Sequence, residues 1–174
     1  MGTSAKHIGT APLIVRAVKH MAPTARVVIG KSDHYDPGSR TIHLTPETLS
    51  VNDRFSMFRA CHEAGHALQH SRNTRLWRLR TQWLPVLSDL WGLLVTLSIP
   101  CAFIHFWLCA GLSLAAIAVI LFRAWIIVGT EREATNIALE WLDETFAIED
   151  DELAAGRKHL AELRKTYWRA LIGK

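Results

Sequence analysis

From Leu90 to Phe122 the chain carries no Asp, Glu, Lys or Arg, an uncharged run of thirty-three residues. A bilayer core takes about 20 helical residues to cross, so the run is too long for one span and slightly short for two. Extending it to Trp83 on one side and Thr130 on the other supplies the missing turns. Two antiparallel helices then fit, at 83–103 and 108–128, joined by a tight turn at 104–107. Pro100 falls in the last turn of the first span, where a partner helix tolerates it. Trp83, Trp91, Trp107 and Trp125 include interfacial anchors. The competing reading is a buried helical hairpin of a soluble domain.

Composition sides with the membrane. Hydrophobic residues reach 49% and the mean hydropathy is +0.12, while the 21% of charged residues is displaced to the two flanks. The length of 174 residues suits a single domain, 1–174, built around that hairpin. Asp89 and Arg123 stand at similar depth in the two expected spans. They either pair or reach separately for the interface.

The net charge is +4, with Arg59, Arg72, Arg75, Arg78 and Arg80 ahead of the first span and Arg132 behind the second. Arginines beside a span mark the cytoplasmic side, and the turn around His105 and Trp107 carries no Lys or Arg. A nucleic-acid partner would use such a cluster too. Few aromatics are spaced for base stacking, so no nucleic acid is expected. Three cysteines, two of them inside the apolar run, give no disulfide framework and fit a reducing compartment. The first twenty residues hold no apolar core of signal-peptide length, so the hairpin itself is expected to direct insertion.

Before the apolar run, Ala11–Met21 reads as an amphipathic helix ended near Pro23. Ala25–Gly30 and Thr41–Thr45 read as strands of a β-hairpin whose long loop is the turn-rich KSDHYDPGSR. Pro46 opens a largely helical region that continues through Arg59 into CHEAGHALQH.

That segment contains H-E-x-x-H as His62, Glu63 and His66. Residues four apart share a helix face, so both imidazoles reach one zinc ion. Glu63 projects beside them, where it serves as general base for peptide hydrolysis. The alternative is an accidental match in a histidine-bearing helix; the small residues Ala64 and Gly65, which leave room for close packing, weigh against it. His70 lies about 12 Å along the helix from His62, too far to share a tetrahedral site. Catalytic zinc needs a third protein ligand. Glu131 and Glu133 follow the second span at what reads as a helix start, and the hairpin returns them to the side it left. Carboxylates at a helix start also serve the macrodipole, so either role fits them.

The chain resembles the YugP-type neutral zinc metallopeptidases over about residues 10–170. Three blocks carry the resemblance: DHYDP (Asp33 to Pro37), HEAGHALQH (His62 to His70) and EREAT (Glu131 to Thr135). The last corresponds to that family's E-F-[DN]-A-S. The resemblance implies His62, His66 and Glu131 as Zn2+ ligands, Glu63 as catalytic base and Glu133 as an orienting carboxylate. It leaves His34 and Tyr35 as oxyanion candidates or as parts of a structural loop. Arg132 and Thr135 depart from the family's Phe and Ser, its N-terminal membrane anchor has no counterpart, and the C-terminal segment is short and charged. The expected fold is mainly α, an H-E-x-x-H metallopeptidase-like helical domain with a small N-terminal β-hairpin and a transmembrane helical hairpin. The expected protein is an integral protein of a bacterial inner membrane, its site on the cytoplasmic side, its partners a peptide or protein substrate and the lipid bilayer. A catalytically inactive metal-binding membrane scaffold is the other class that fits.

Overall fold

Apolar residues at Ile14, Ala17, Val18 and Met21 recur at helical spacing, and the computed structural model buries all four on one face of α1 (Leu13–Met21). The structure describes residues 13–50, 54–146 and 149–172. The first two positions of the expected Ala11–Met21 helix therefore lie outside the described residues, as does most of the N-terminal stretch read for a signal peptide. Arg16, Lys19 and His20 face outward. Lys19 Nζ donates to the Ala25 carbonyl at 2.8 Å and ties the end of α1 to the chain entering the sheet.

The two expected strands form, as β1 (Arg26–Ile29) and β3 (Thr41–Leu44). Their pairing differs from a simple hairpin. A third strand, β2 (His34–Asp36), arises within the turn-rich stretch, and the sheet order is β1-β3-β2. β1 runs parallel to β3, with Arg26 opposite Thr41, while β2 is antiparallel to β3, with Tyr35 opposite Ile42. The hairpin is thus β2–β3, turned by Asp36, whose carboxylate accepts from the Gly38 backbone N–H (2.9 Å) and the Ser39 hydroxyl (2.5 Å). Ile42 and Leu44 are fully buried.

The helical region after Pro46 is divided into α2 (Pro46–Ser50) and α3 (Arg54–Arg72), with the junction 51–53 outside the described residues. Asp33 fastens the start of α2. Its carboxylate accepts from the Thr45 backbone N–H at 2.6 Å and from the hydroxyl of fully buried Thr48 at 2.7 Å. Helix α3 ends where Asn73 takes a left-handed φ of 49°, and Thr74 then caps the next helix by accepting from the Trp77 N–H at 3.3 Å.

Two long helices follow, α4 (Arg75–Ile104) and α5 (Phe106–Phe146), separated only by His105 in an extended conformation. Helix α5 does not end with the apolar run. It continues unbroken through Glu131 and Glu133, so neither carboxylate marks a helix start and the macrodipole role falls away. The last helix is α6 (Asp150–Ile172).

By contacts the chain divides into two compact units, one of Met1–Ser71 with Glu133–Lys174, the other of Arg72–Arg132. The seam runs inside continuous α5. In the first unit, α3 packs its buried face (Phe58, Ala60, Cys61, Ala64, Ala67) with residues of α1, β3 and the end of α5 in one apolar core. In the second, Leu76 of α4 lies against Gly129 of α5, where an added Cβ would come within 3.3 Å. Among the described residues Asp89 and Arg123 form no ion pair. Asp89 is exposed and the half-buried Arg123 has no hydrogen-bond partner at Nε.

Candidate metal centre

Helix α3 is tolerated at the middle of the first unit because its inward residues are small. Ala60, Cys61, Ala64 and Ala67 are all nearly or fully buried, and burial pushes the Cys61 thiol up to about 12. Gly65 completes the small surface. A Cβ on it would stand 2.5 Å from the Ala134 carbonyl oxygen, so α3 and α5 touch backbone to side-chain position here. That close approach is the local reason the later part of α5 reaches the histidine face.

On that face His62 and His66 lie one turn apart with ring centroids 4.8 Å from each other and planes at 76°. A ring nitrogen from each and a carboxylate oxygen of Glu131 all lie within 4.8 Å of one another. The three donors sit at different depths, His66 being 7% exposed and His62 and Glu131 half-buried. Glu63, 7% exposed, occupies the same turn of α3. Two imidazoles and one carboxylate are the donor set of a catalytic zinc site that keeps a position open for water or substrate. The residues present therefore fit zinc.

Each of these groups is held from behind. The His62 Nδ1 is 3.2 Å from the Thr135 hydroxyl, on α5. The His66 Nδ1 is 2.8 Å from Gln69 Oε1, and the Gln69 amide nitrogen donates to Glu133 Oε2 at 2.6 Å. Glu131 Oε1 accepts from the Arg80 guanidinium at 2.8 Å, in an ion pair partly shielded from solvent. Carboxylates or amides behind metal-ligating side chains fix their orientation and raise their basicity.

The structure thus brings His62, His66 and Glu131 together, with Glu63 alongside the histidines and Glu133 linked to His66 through Gln69. The DHYDP block has a different character. Asp33 and Asp36 are engaged in the local structure described above. The exposed His34 ring stacks on His43 at 4.4 Å between centroids and lies near the Ser32 hydroxyl. Tyr35 hydrogen-bonds His70 Nδ1 at 2.8 Å, and burial raises its pKa above the ordinary tyrosine value, with the Asp36 charge adding to the rise and Arg40 opposing it. His70 accordingly serves as the contact of α3 with β2. Sequence reasoning assigned no role at this centre to Gln69, Thr135 or Arg80. The signal for Gln69 was its place three residues after a ligand candidate on the same helix face; Arg80 had none, because an arginine among other arginines before an apolar run looks like headgroup contact.

Residues 17–174 match a family model described as "Putative neutral zinc metallopeptidase". A curated relative, the "Putative membrane protease YugP" of Bacillus subtilis (strain 168), is 32% identical over 93 residues, covering 53% of this chain. The match spans 39% of that relative's length. No solved structure matches. The family match covers nearly the whole chain, including all three members of the donor group, and the chain belongs to this neutral zinc metallopeptidase family.

Proposed function

We propose that the chain is a membrane-embedded zinc metallopeptidase that hydrolyses peptide bonds, with His62, His66 and Glu131 as the metal ligands and Glu63 as general base. The observation that carries this reading is the convergence of the three donor atoms beside a buried glutamate in the H-E-x-x-H turn. Zinc bound by these residues supplies a Lewis acid and brings the pKa of an attacking water toward neutrality. The chain's own work is then positional. Two imidazoles one turn apart and the carboxylate from α5 would hold the ion. Glu63 takes the proton from the attacking water and returns it to the leaving amine. Its burial removes competing solvent, which strengthens its interaction with the reacting atoms.

Membrane embedding rests on α4 and α5. Both are long and apolar enough to cross a bilayer, and only 6% and 11% of their most apolar windows are buried. A core helix of a soluble protein would be mostly covered; Phe103, Ile104, Phe106 and Trp107 are instead exposed by 72–89%. The curated relative is named as a membrane protease, in agreement. The arginines ahead of α4 and within its first turns support a site on the cytoplasmic side.

The test uses purified, detergent-solubilised protein. Metal analysis should find about one zinc per chain in the wild type, and loss of zinc in His66→Ala and Glu131→Gln. Glu63→Gln should keep the zinc and lose cleavage of an unstructured protein substrate by about 10²–10⁴-fold. Zinc retained in both ligand variants, or Glu63→Gln cleaving at the wild-type rate, overturns the assignment. In the second case the protein is a metal-binding scaffold.

A further inference from the structure

Resting on the zinc-site reading, we infer that Gln69 is a positioning residue that locks His66 in one tautomer, with Glu133 as the anchor that orients Gln69. The reasoning follows the protons. A carboxylate only accepts, so the atom of the Gln69 amide that faces Glu133 Oε2 at 2.6 Å is its NH₂ group. The amide oxygen therefore faces His66, 2.8 Å from Nδ1. An amide oxygen also only accepts, so Nδ1 of His66 carries the hydrogen. The neutral ring has one N–H, and its lone pair is then on Nε2, available to a metal ion.

No amide flip or ring rotation satisfies both bonds. Turning the Gln69 amide over would set its oxygen against the Glu133 carboxylate. Gln69 is fully buried and His66 nearly so, which leaves water little chance to substitute for either contact. His62 is held differently. Its Nδ1 faces the Thr135 hydroxyl, a group that both donates and accepts.

The same logic explains two features of the sequence at once. Glu133 lies two residues from a proposed ligand yet spends an oxygen on an amide, and a glutamine is wholly buried inside a zinc-binding helix. An acid in place of Gln69 would also accept from His66, but it would meet Glu133 as a like charge. Exchanging the two residues restores a one-way chain, His66 to carboxylate from one side and amide to carboxylate from the other.

The experiment has two arms on the full chain. In metal-free protein with ¹⁵N-labelled histidine, at about pH 8.5 where an ordinary histidine is neutral, long-range ¹H–¹⁵N spectra report the tautomer of His66, its signal identified with His66→Ala. The Nδ1–H form is expected in the wild type and its loss in Gln69→Leu. In the second arm, chelator competition measures zinc affinity and Co2+ substitution reports the ligand field. Gln69→Leu and Gln69→Glu should weaken zinc binding by about 10–100-fold. The double exchange Gln69→Glu with Glu133→Gln should recover most of the loss and the wild-type Co2+ spectrum. An Nε2–H tautomer in the wild type overturns the inference, and so does a folded Gln69→Leu protein with undiminished zinc affinity. If Gln69→Leu does not fold, a folded double exchange that binds zinc no better than Gln69→Glu overturns it as well. A Gln69-dependent Nδ1–H tautomer in a wild-type protein that takes up no zinc would uphold the relay and sink the peptidase reading, so the two fail separately.

Discussion

Gly65 meets the backbone of Ala134 so closely that a methyl group at position 65 would stand 2.5 Å from the Ala134 carbonyl oxygen. The obstacle is helix backbone, which cannot rotate away as a side-chain tip would. Gly65→Ala must push α3 and α5 apart or bend one of them, at a cost of about 1–3 kcal/mol for such overpacking. Ala134 stands one turn beyond Glu131 on the same helix, so the displacement should also weaken zinc binding. Thermal melts and zinc titration check both effects. Shortening the opposing side chain with Ala134→Gly should not rescue the variant. A Gly65→Ala protein with wild-type melting temperature and zinc affinity would contradict this contact.

Arg80 and Glu131 pair at 2.8 Å, with side chains 34% and 20% exposed. In the metal-free protein the guanidinium is a cationic partner of a carboxylate that would otherwise repel its acidic neighbourhood. Bound zinc would neutralise that carboxylate by itself. Arg80→Met should therefore lower the stability of the apo protein by about 1 kcal/mol, as for a partly exposed ion pair, and that of the zinc-loaded protein by less. Melting curves with and without zinc give the comparison. An equal loss in both states would mean that Glu131 is not a ligand.

What the sequence disclosed and what it hid follow from the range of the interactions. The shared helix face of His62, Glu63 and His66 was legible from their spacing alone, whereas the order of the chain offered Glu131 and Glu133 equally and only the family resemblance singled out Glu131. The uncharged run between Leu90 and Phe122 foretold two long helices, and the break at His105 falls inside the 104–107 turn assigned to it. The strand His34–Asp36 was hidden in a stretch rich in turn formers, since three residues are too few to show alternation. The parallel pairing of β1 with β3 was equally invisible, because it depends on β2 folding back first. Charge at Glu131 suggested a new helix where the old one simply continues, because a change in side-chain polarity does not require a change of backbone. The support of His66 by Gln69 and Glu133 spans sixty-four residues in its second bond, and no local pattern announces such a contact.

The Tyr35 phenol is held neutral chiefly by burial and donates to or accepts from His70 at 2.8 Å. Its folded pKa lies above the ordinary value of 10, so the stabilising effect is complete below about pH 10 and disappears as pH rises through the folded value. Tyr35→Phe keeps the ring and deletes the hydroxyl. At neutral pH it should cost about 0.5–1.5 kcal/mol for the lost hydrogen bond. Above pH 10 the wild type should lose stability faster than the variant, and the two melting curves plotted against pH should converge. Parallel curves would show that the phenol does not ionise differently in the folded chain.

The exposed apolar surface of α4 and α5 makes a prediction about sidedness. If both helices cross a bilayer, the residue that joins them lies on one side of the membrane and the α3–α4 junction on the other, with the arginines around that junction held in the cytoplasm. In a background with Cys61, Cys101 and Cys109 replaced by alanine, single cysteines at His105 and Asn73 report the two ends. Both positions are exposed and outside regular helix, so a cysteine there disturbs no described packing, and its only backbone cost falls at the left-handed φ of Asn73. A membrane-impermeant maleimide added to intact bacterial cells, after the outer membrane has been opened, should label His105→Cys and spare Asn73→Cys until the inner membrane is permeabilised. Label at Asn73→Cys alone would invert the orientation and move the zinc site to the outer side, against the arginine distribution. Equal labelling of both sites from outside would mean that the hairpin does not span the bilayer, and the exposed faces of α4 and α5 would then need another apolar partner to cover them.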